Sequence, residues 1–250
     1  MTPADTIEAG LQQLADDQLA SFDTELVNDA RWAPVARCIA RDFPAGRFTF
    51  LDVGGGSGMF ADRILESYPE ARVTVLDNSQ LLLSRNKPNP RKELLLESVE
   101  RLGAAVGDRR FDLISMNWLL HHLVSPSYGR TRSNIDAALR MVSRFLSDRG
   151  RLSVHENLYN GIAVDGAPGW IIHRVTSNKA LAALARRGGA NSAGVGVCFL
   201  SRRQWLKTFR RAGLEVESET LDVRWKVPWK WHVALHIAHI ECGHYWLRPR

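Results

Sequence analysis

The residues best suited to chemistry begin with Leu51, Asp52, Val53, Gly54, Gly55, Gly56, Ser57 and Gly58. A hydrophobic run there feeds a glycine cluster. Glycines suit a place where the backbone turns sharply and a ligand approaches it without meeting a Cβ. A second carboxylate, Asp77, closes the next apolar run. An acid at that place can accept hydrogen bonds from both hydroxyls of a ribose. The Gly-x-Gly-x-x-Gly frame that binds a pyrophosphate does not fit. Counted from Gly54 it ends on Met59, and counted from Gly55 its second glycine is Ser57. The spacing that does fit is acid-x-Gly-x-Gly-x-Gly, through Asp52, Gly54, Gly56 and Gly58. Groups able to move a proton follow downstream: His121 and His122, Glu156 after His155, and His173.

These groups need elements to hold them. Residues 48–53, 73–76, 111–116 and 151–155 are short β-rich runs, and helical spacing resumes at 59–68 and 133–146. Strands alternating with helices predict a parallel sheet covered on both faces. Residues 82–108 are expected to supply a helix and a third strand near 94–96. A helix at 202–212, a strand at 214–219 and a last strand near 244–247 complete the pattern. Residues 1–45 read as an N-terminal helical cap, carried by Leu11, Leu14, Leu19, Phe22 and Leu26, then Trp32, Val35 and Ile39. The main domain would run over 46–250. Within it, the glycine-rich stretch 158–200, with one helical piece at 178–187, is expected to form a lid.

The ordered set of strand, glycine loop, helix, strand and acid resembles motif I of class I S-adenosylmethionine-dependent methyltransferases. Residues 111–123, ending in Leu120, His121, His122 and Leu123, resemble the fourth strand of that family and the segment after it, and residues 148–156 its fifth strand. The likeness covers about residues 48–220 and points to bacterial small-molecule, secondary-metabolite enzymes. It implies an α/β, Rossmann-like class I methyltransferase fold with a seven-stranded, mostly parallel sheet. It implies S-adenosylmethionine as cofactor, bound by Asp52, Gly54, Gly56 and Gly58 on the methionine and ribose side, by Asp77 at the ribose, by Asn78, Ser98 and Val99 near the adenine, and by Asn117 near the methionine. That cofactor has no pyrophosphate, so an acid at 52 is tolerable. A small organic acceptor is implied, with O-methylation first and N- or C-methylation next. For an oxygen acceptor, His121, His122, His173 and Glu156 are the candidate catalytic groups. The competing assignments are loop capping for the histidine pair and for Glu156. An RNA methyltransferase and a cofactor-binding protein that transfers no methyl stay open.

Composition bounds the rest. The net charge of +6 over 250 residues comes from scattered cations, which read as a solvated surface, so no nucleic-acid partner is expected. Three cysteines without a Cys-x-x-Cys pair argue against a disulfide frame or a zinc site, and fit reduced thiols in a cytoplasmic protein. No apolar run reaches the roughly 20 residues of a membrane helix, so no membrane partner is expected. A homodimer stays open. His232, His236 and His239 have the i, i+4, i+7 spacing of one helical face. Packing rather than metal is expected of them. Trp205, Trp225, Trp229, Trp231 and Trp246 suit either a core or an apolar pocket.

Overall fold

The computed structural model describes Ile7, Leu11 and residues 27–250. Seven strands form one sheet: β1 (Thr49–Val53), β2 (Arg72–Asp77), β3 (Lys92–Leu96), β4 (Phe111–Asn117), β5 (Leu146–Gly161), β6 (Leu214–Leu221) and β7 (Ile237–Pro249). Their order is β3-β2-β1-β4-β5-β7-β6. β1 to β5 pair in parallel, and β7 runs antiparallel to both β5 and β6. This is the seven-stranded, mostly parallel sheet expected of the class I methyltransferase fold.

The helices are α1 (Asp29–Asp42), α2 (Met59–Ser67), α3 (Gln80–Leu83), α4 (Leu102–Val106), α5 (Tyr128–Ser143), α6 (Ala167–Thr176), α7 (Ala182–Arg187), α8 (Arg202–Arg211) and α9 (Trp229–Ala234). Alternate residues of each central strand face opposite sides. Leu51 and Val53 of β1 join Ile135 and Leu139 of α5 and Trp205 and Phe209 of α8 in one buried layer. Phe50 joins Val35 and Ile39 of α1 and Phe60 and Ile64 of α2 in the other. Both faces being covered explains why β1, β2 and β4 read as continuous apolar runs. Cys38, Cys198 and Cys242 are buried free thiols. No described helix is long and apolar enough to cross a membrane.

Three elements differ from their sequence reading. α5 starts five residues earlier than expected, and Leu146, which matched its apolar face, instead pairs with Phe111 as the first residue of β5. Residues 148–150 then form an irregularity, after which Leu113 pairs with Arg151. The helical piece at 178–187 splits into a 3₁₀ turn at Lys179–Leu181 and α7. The last strand is far longer than 244–247, because β7 pairs along β5 from Leu152 to Gly161. That pairing dissolves the helical histidine face. α9 stops at Ala234, His236 sits at φ 58°, and His239 lies on β7 against Asn160. Ladder bonds along a whole strand outweigh the local helical spacing. Of the tryptophans, Trp205 and Trp246 are core, whereas Trp225 and Trp229 are exposed. The expected helical residues Leu14, Leu19, Phe22 and Leu26 lie outside the described residues.

Candidate active site at the carboxyl edge of the sheet

Parallel strands deliver their last residues to one edge. Val53 pairs with Leu76, Asp77 pairs with Leu96, and Asn117 pairs with His155. The glycine loop opens there. Gly54, Gly56 and Gly58 have φ of 71°, 54° and 76°, the left-handed region that side chains disfavour. A Cβ on Gly54 would press on Leu119, at 3.0 Å. One on Gly58 would stand 1.8 Å from Asn86 Oδ1. Asn86, which sequence reasoning missed, donates from Nδ2 to the Gly56 carbonyl at 2.9 Å and so clamps the loop. Gly58→Ala is therefore expected to cost about 1–3 kcal/mol, through strain and overpacking. Calorimetric scanning reads it as a Tm lowered by about 2–4 °C per kcal/mol.

Gly55 was also missed, and its reason is different. A Cβ there would lie 2.7 Å from Asp52 Oδ2 and 2.8 Å from Val75, so the loop packs flat on Asp52. Asp52 accepts from the Ser115 hydroxyl at Oδ1, while Oδ2 is buried without a partner among the described residues. Burial pushes its carboxyl up to about 7, and the nearby Asp77 carboxylate adds to the rise. Asp77 accepts from the Gly56 N–H at 2.9 Å and from the Ser79 N–H at 2.8 Å. Its carboxyl is raised by burial, against which the N–H groups of Ser79, Gly56 and Asn78 pull it down. Asn78 itself is exposed beside it. The Glu97 N–H donates to the Asp77 carbonyl at 3.0 Å, which brings the turn carrying Ser98 and the buried Val99 to the end of β2.

β4 ends on Asn117, whose Oδ1 lies 2.9 Å from His155 Nδ1 and whose Nδ2 is buried without a partner among the described residues. The next residue, Trp118, takes φ 52°. Such strain persists only where the surroundings enforce it. Here the Trp118 N–H donates to the His155 carbonyl at 2.9 Å, and its ring stacks on His155 with centroids 5.2 Å apart. The bend sends the chain into a 3₁₀ turn, Leu120–His122. Leu119, just before it, is the side chain lying against Gly54.

Glu156, fully buried on β5, holds this turn. Its Oε1 accepts from the Leu120 N–H at 2.9 Å, and its Oε2 lies 2.6 Å from His121 Nδ1. With the carboxylate as acceptor, Nδ1 carries the proton and Nε2 keeps its lone pair. The His122 ring lies 4.2 Å from that of His121, and desolvation, to which a second proton on His121 would add repulsion, keeps it well below the ordinary histidine value. Phe199, stacked on Tyr159 at 4.2 Å, stands 5.0 Å from the His121 ring. Neither aromatic was singled out from sequence.

The structure thus brings His121, His122 and Glu156 together and leaves His173 apart from their hydrogen-bonded set. His173 is buried on α6, with Nε2 3.1 Å from both the Ser125 carbonyl and the Thr131 hydroxyl. Desolvation lowers its pKa. In this arrangement it pins α6 to the segment after β4.

A family model described as a methyltransferase domain matches residues 15–219. No curated protein matches the chain in sequence. Among solved structures, the chain is similar to LepI in complex with SAM, with a TM-score of 0.61 and 12% identity over 94% of this chain and 51% of that one. It is similar to the mitomycin 7-O-methyltransferase MmcR, with a TM-score of 0.51 and 17% identity over 88% of this chain and 56% of that one. It is also similar to the [4+2]-cyclase SpnF, with a TM-score of 0.54 and 14% identity over 86% of this chain and 80% of that one. The chain spans about half the length of the first two. At these identities the likeness speaks for the fold, and the family match over most of the sequence speaks for the rest: this chain belongs to the methyltransferase-domain family and carries its Rossmann-like class I fold.

Proposed function

We propose that the chain transfers a methyl group from S-adenosylmethionine to the oxygen of a small organic acceptor, with His121 as general base. The observation that carries this reading is the His121–Glu156 pair, two residues beyond the leucine that touches Gly54. The residues present suit the cofactor. Gly56 faces open space where a Cβ would meet only Leu82 at 3.6 Å. The Asp77 carboxylate raises the cost of ionising Asp52, and two acids at this edge favour a cationic ligand and oppose a phosphate. Among the described residues, Asp52 Oδ2 and Asn117 Nδ2 are buried polar atoms without partners. S-Adenosylmethionine supplies a methyl group on a positively charged sulfur, which needs no further activation. Asp77 holds the ribose hydroxyls. Asn78 and the turn at Ser98 and Val99 flank the adenine, and Asp52, Gly54, Gly58 and Asn117 border the methionine portion.

The remaining work falls to orientation and proton removal. His121 Nε2 takes the acceptor's hydroxyl proton as the oxygen attacks. Glu156 keeps the ring turned and the proton on Nδ1, a positioning role. Phe199 and Tyr159 form an apolar wall that suits an aromatic or aliphatic acceptor and excludes water. The segment 158–200, which supplies Phe199 and Tyr159, serves as the acceptor-facing lid over the same edge. The likeness to a 7-O-methyltransferase agrees with an oxygen acceptor, as does the base.

Isothermal calorimetry on the purified protein tests the reading. Heat is expected with S-adenosylmethionine and S-adenosylhomocysteine and none with NAD. Incubation with hydroxylated aromatic acceptors should then yield a product one methyl heavier by mass spectrometry. Absence of heat with both nucleosides overturns the cofactor assignment. Binding without a methylated product from any hydroxyl, amine or carbon acceptor assigns the chain to the cofactor-binding proteins that transfer nothing.

A further inference from the structure

The carboxyl edge carries more than the site. Val223 is 87%, Trp229 78% and Val233 75% exposed, and Ile162, Val164, Trp170 and Trp225 are exposed as well. All of them sit on two segments that leave the same end of the sheet. Residues 162–170 follow β5, and residues 222–235 join the end of β6 to the start of β7. The two segments are stitched together. The Ile162 N–H donates to the His236 carbonyl at 3.1 Å, and Ile172, Val197, Val227, Trp231 and Ile237 form a small apolar core between them. Phe199 and Tyr159 pack against that core, and Phe199 in turn stands against the His121 ring. On α9, Trp229 and Val233 lie one turn apart and share a face.

Cations dominate the wider rim. Residues 166–200 and 223–240 contain no Asp or Glu, and the acids at their borders are engaged, Asp165 by the Ser201 hydroxyl and Asp222 by Arg31. Arg174, Lys179, Arg186, Arg187, Arg224, Lys226 and Lys230 are all exposed there. Two exposed lysines thus alternate with exposed tryptophans around α9. Indole rings settle at the boundary between hydrocarbon and headgroup, while lysine stems reach past them to anionic phosphates. A second copy of the chain fits poorly. A two-fold contact would set a surface of mostly cations against itself, with Asp165, Asp222 and Glu241 already facing partners of their own.

We propose that this rim docks on a lipid surface with anionic headgroups, with Trp229 and Val233 entering the interface and Lys226 and Lys230 holding the phosphates. The absence of a long apolar run bears on spanning a bilayer, and docking lies on it instead.

Co-sedimentation with vesicles is the test, using phosphatidylcholine alone and phosphatidylcholine mixed with phosphatidylglycerol. Binding is expected to the mixed vesicles, weakened by salt. W229A/V233A should lower that binding by about tenfold or more, and K226E/K230E should remove the preference for anionic lipid. Both variants should keep the cofactor heat of the parent protein. That heat tests the proposed function separately, so either idea can fail alone. No sedimentation with either vesicle, or unchanged binding by W229A/V233A, overturns the proposal. So does a concentration-dependent dimer that W229A/V233A abolishes, or an oligonucleotide complex formed while vesicles stay unbound.

Discussion

Changing Asp77 to alanine is expected to weaken S-adenosylmethionine binding by a factor of about 10²–10⁴. Each hydrogen bond to a charged group contributes about 1.5–3 kcal/mol, and a ribose diol makes two to this carboxylate, at about 1.4 kcal/mol per tenfold in affinity. Asp77 is already drawn into place by backbone N–H groups of Gly56 and Ser79. The alanine variant therefore also loosens the glycine loop. Asp77→Asn separates the two roles. It keeps the shape of the strand end and an acceptor for one of the Gly56 and Ser79 N–H groups, but turns an amide NH2 on the other and lacks the charge. Its Tm should fall less than that of the alanine variant while calorimetry shows affinity down by about tenfold or more. Near-normal affinity in both variants overturns the ribose assignment.

Loss of the base should be as large in turnover. His121→Ala is expected to lower kcat by about 10²–10⁴, the usual contribution of a positioned general base. The cofactor Kd should stay unchanged, since His121 holds none of the loop. Glu156 acts through His121, and Glu156→Gln distinguishes positioning from support of the fold. Glutamine can accept from the Leu120 N–H through its carbonyl oxygen, but it then turns an amide N–H on His121 Nδ1 and favours the opposite tautomer of that ring. A positioning role then gives a kcat lower by about tenfold, with KM and cofactor Kd held. A purely structural role gives a lower Tm with kcat preserved in whatever protein remains folded. Full turnover in His121→Ala removes the base from this residue. His122, kept neutral by its buried surroundings, would be the next histidine to substitute.

What could be read in the sequence was local. Asp52, the glycines at 54, 56 and 58, and Asp77 belong to one β-turn-α-β unit, where strand, turn and acid follow one another along the chain. The positive φ angles of the three glycines are the physical content of that spacing. What could not be read was carried by contacts far apart in sequence. Glu156 stands 35 residues from His121, so nothing beside either residue announces their pairing. Asn86 has no local feature marking it as the clamp on Gly56. Gly55 looks like one more loop glycine until Asp52 is seen beneath it. The tail misled for a related reason. Its histidines keep helical spacing, but strand pairing with β5 decides their conformation. Among the tryptophans, sequence separates neither Trp246, in the core, from Trp229, at the surface, nor either from a pocket lining.

The place of β7 between β5 and β6 has a consequence for how the chain is made. β6 is synthesised before β7, yet its backbone pairs with β7 and not with β5. On a ribosome, the first five strands can assemble in order as they emerge. β6 must then wait, with its pairing groups unsatisfied, until the thirteen residues of β7 arrive and slide between the two. Closure of such a non-local ladder is slow compared with helix formation. The nascent enzyme therefore passes through a stage in which the glycine loop is built while one flank of the sheet stands open to chaperones.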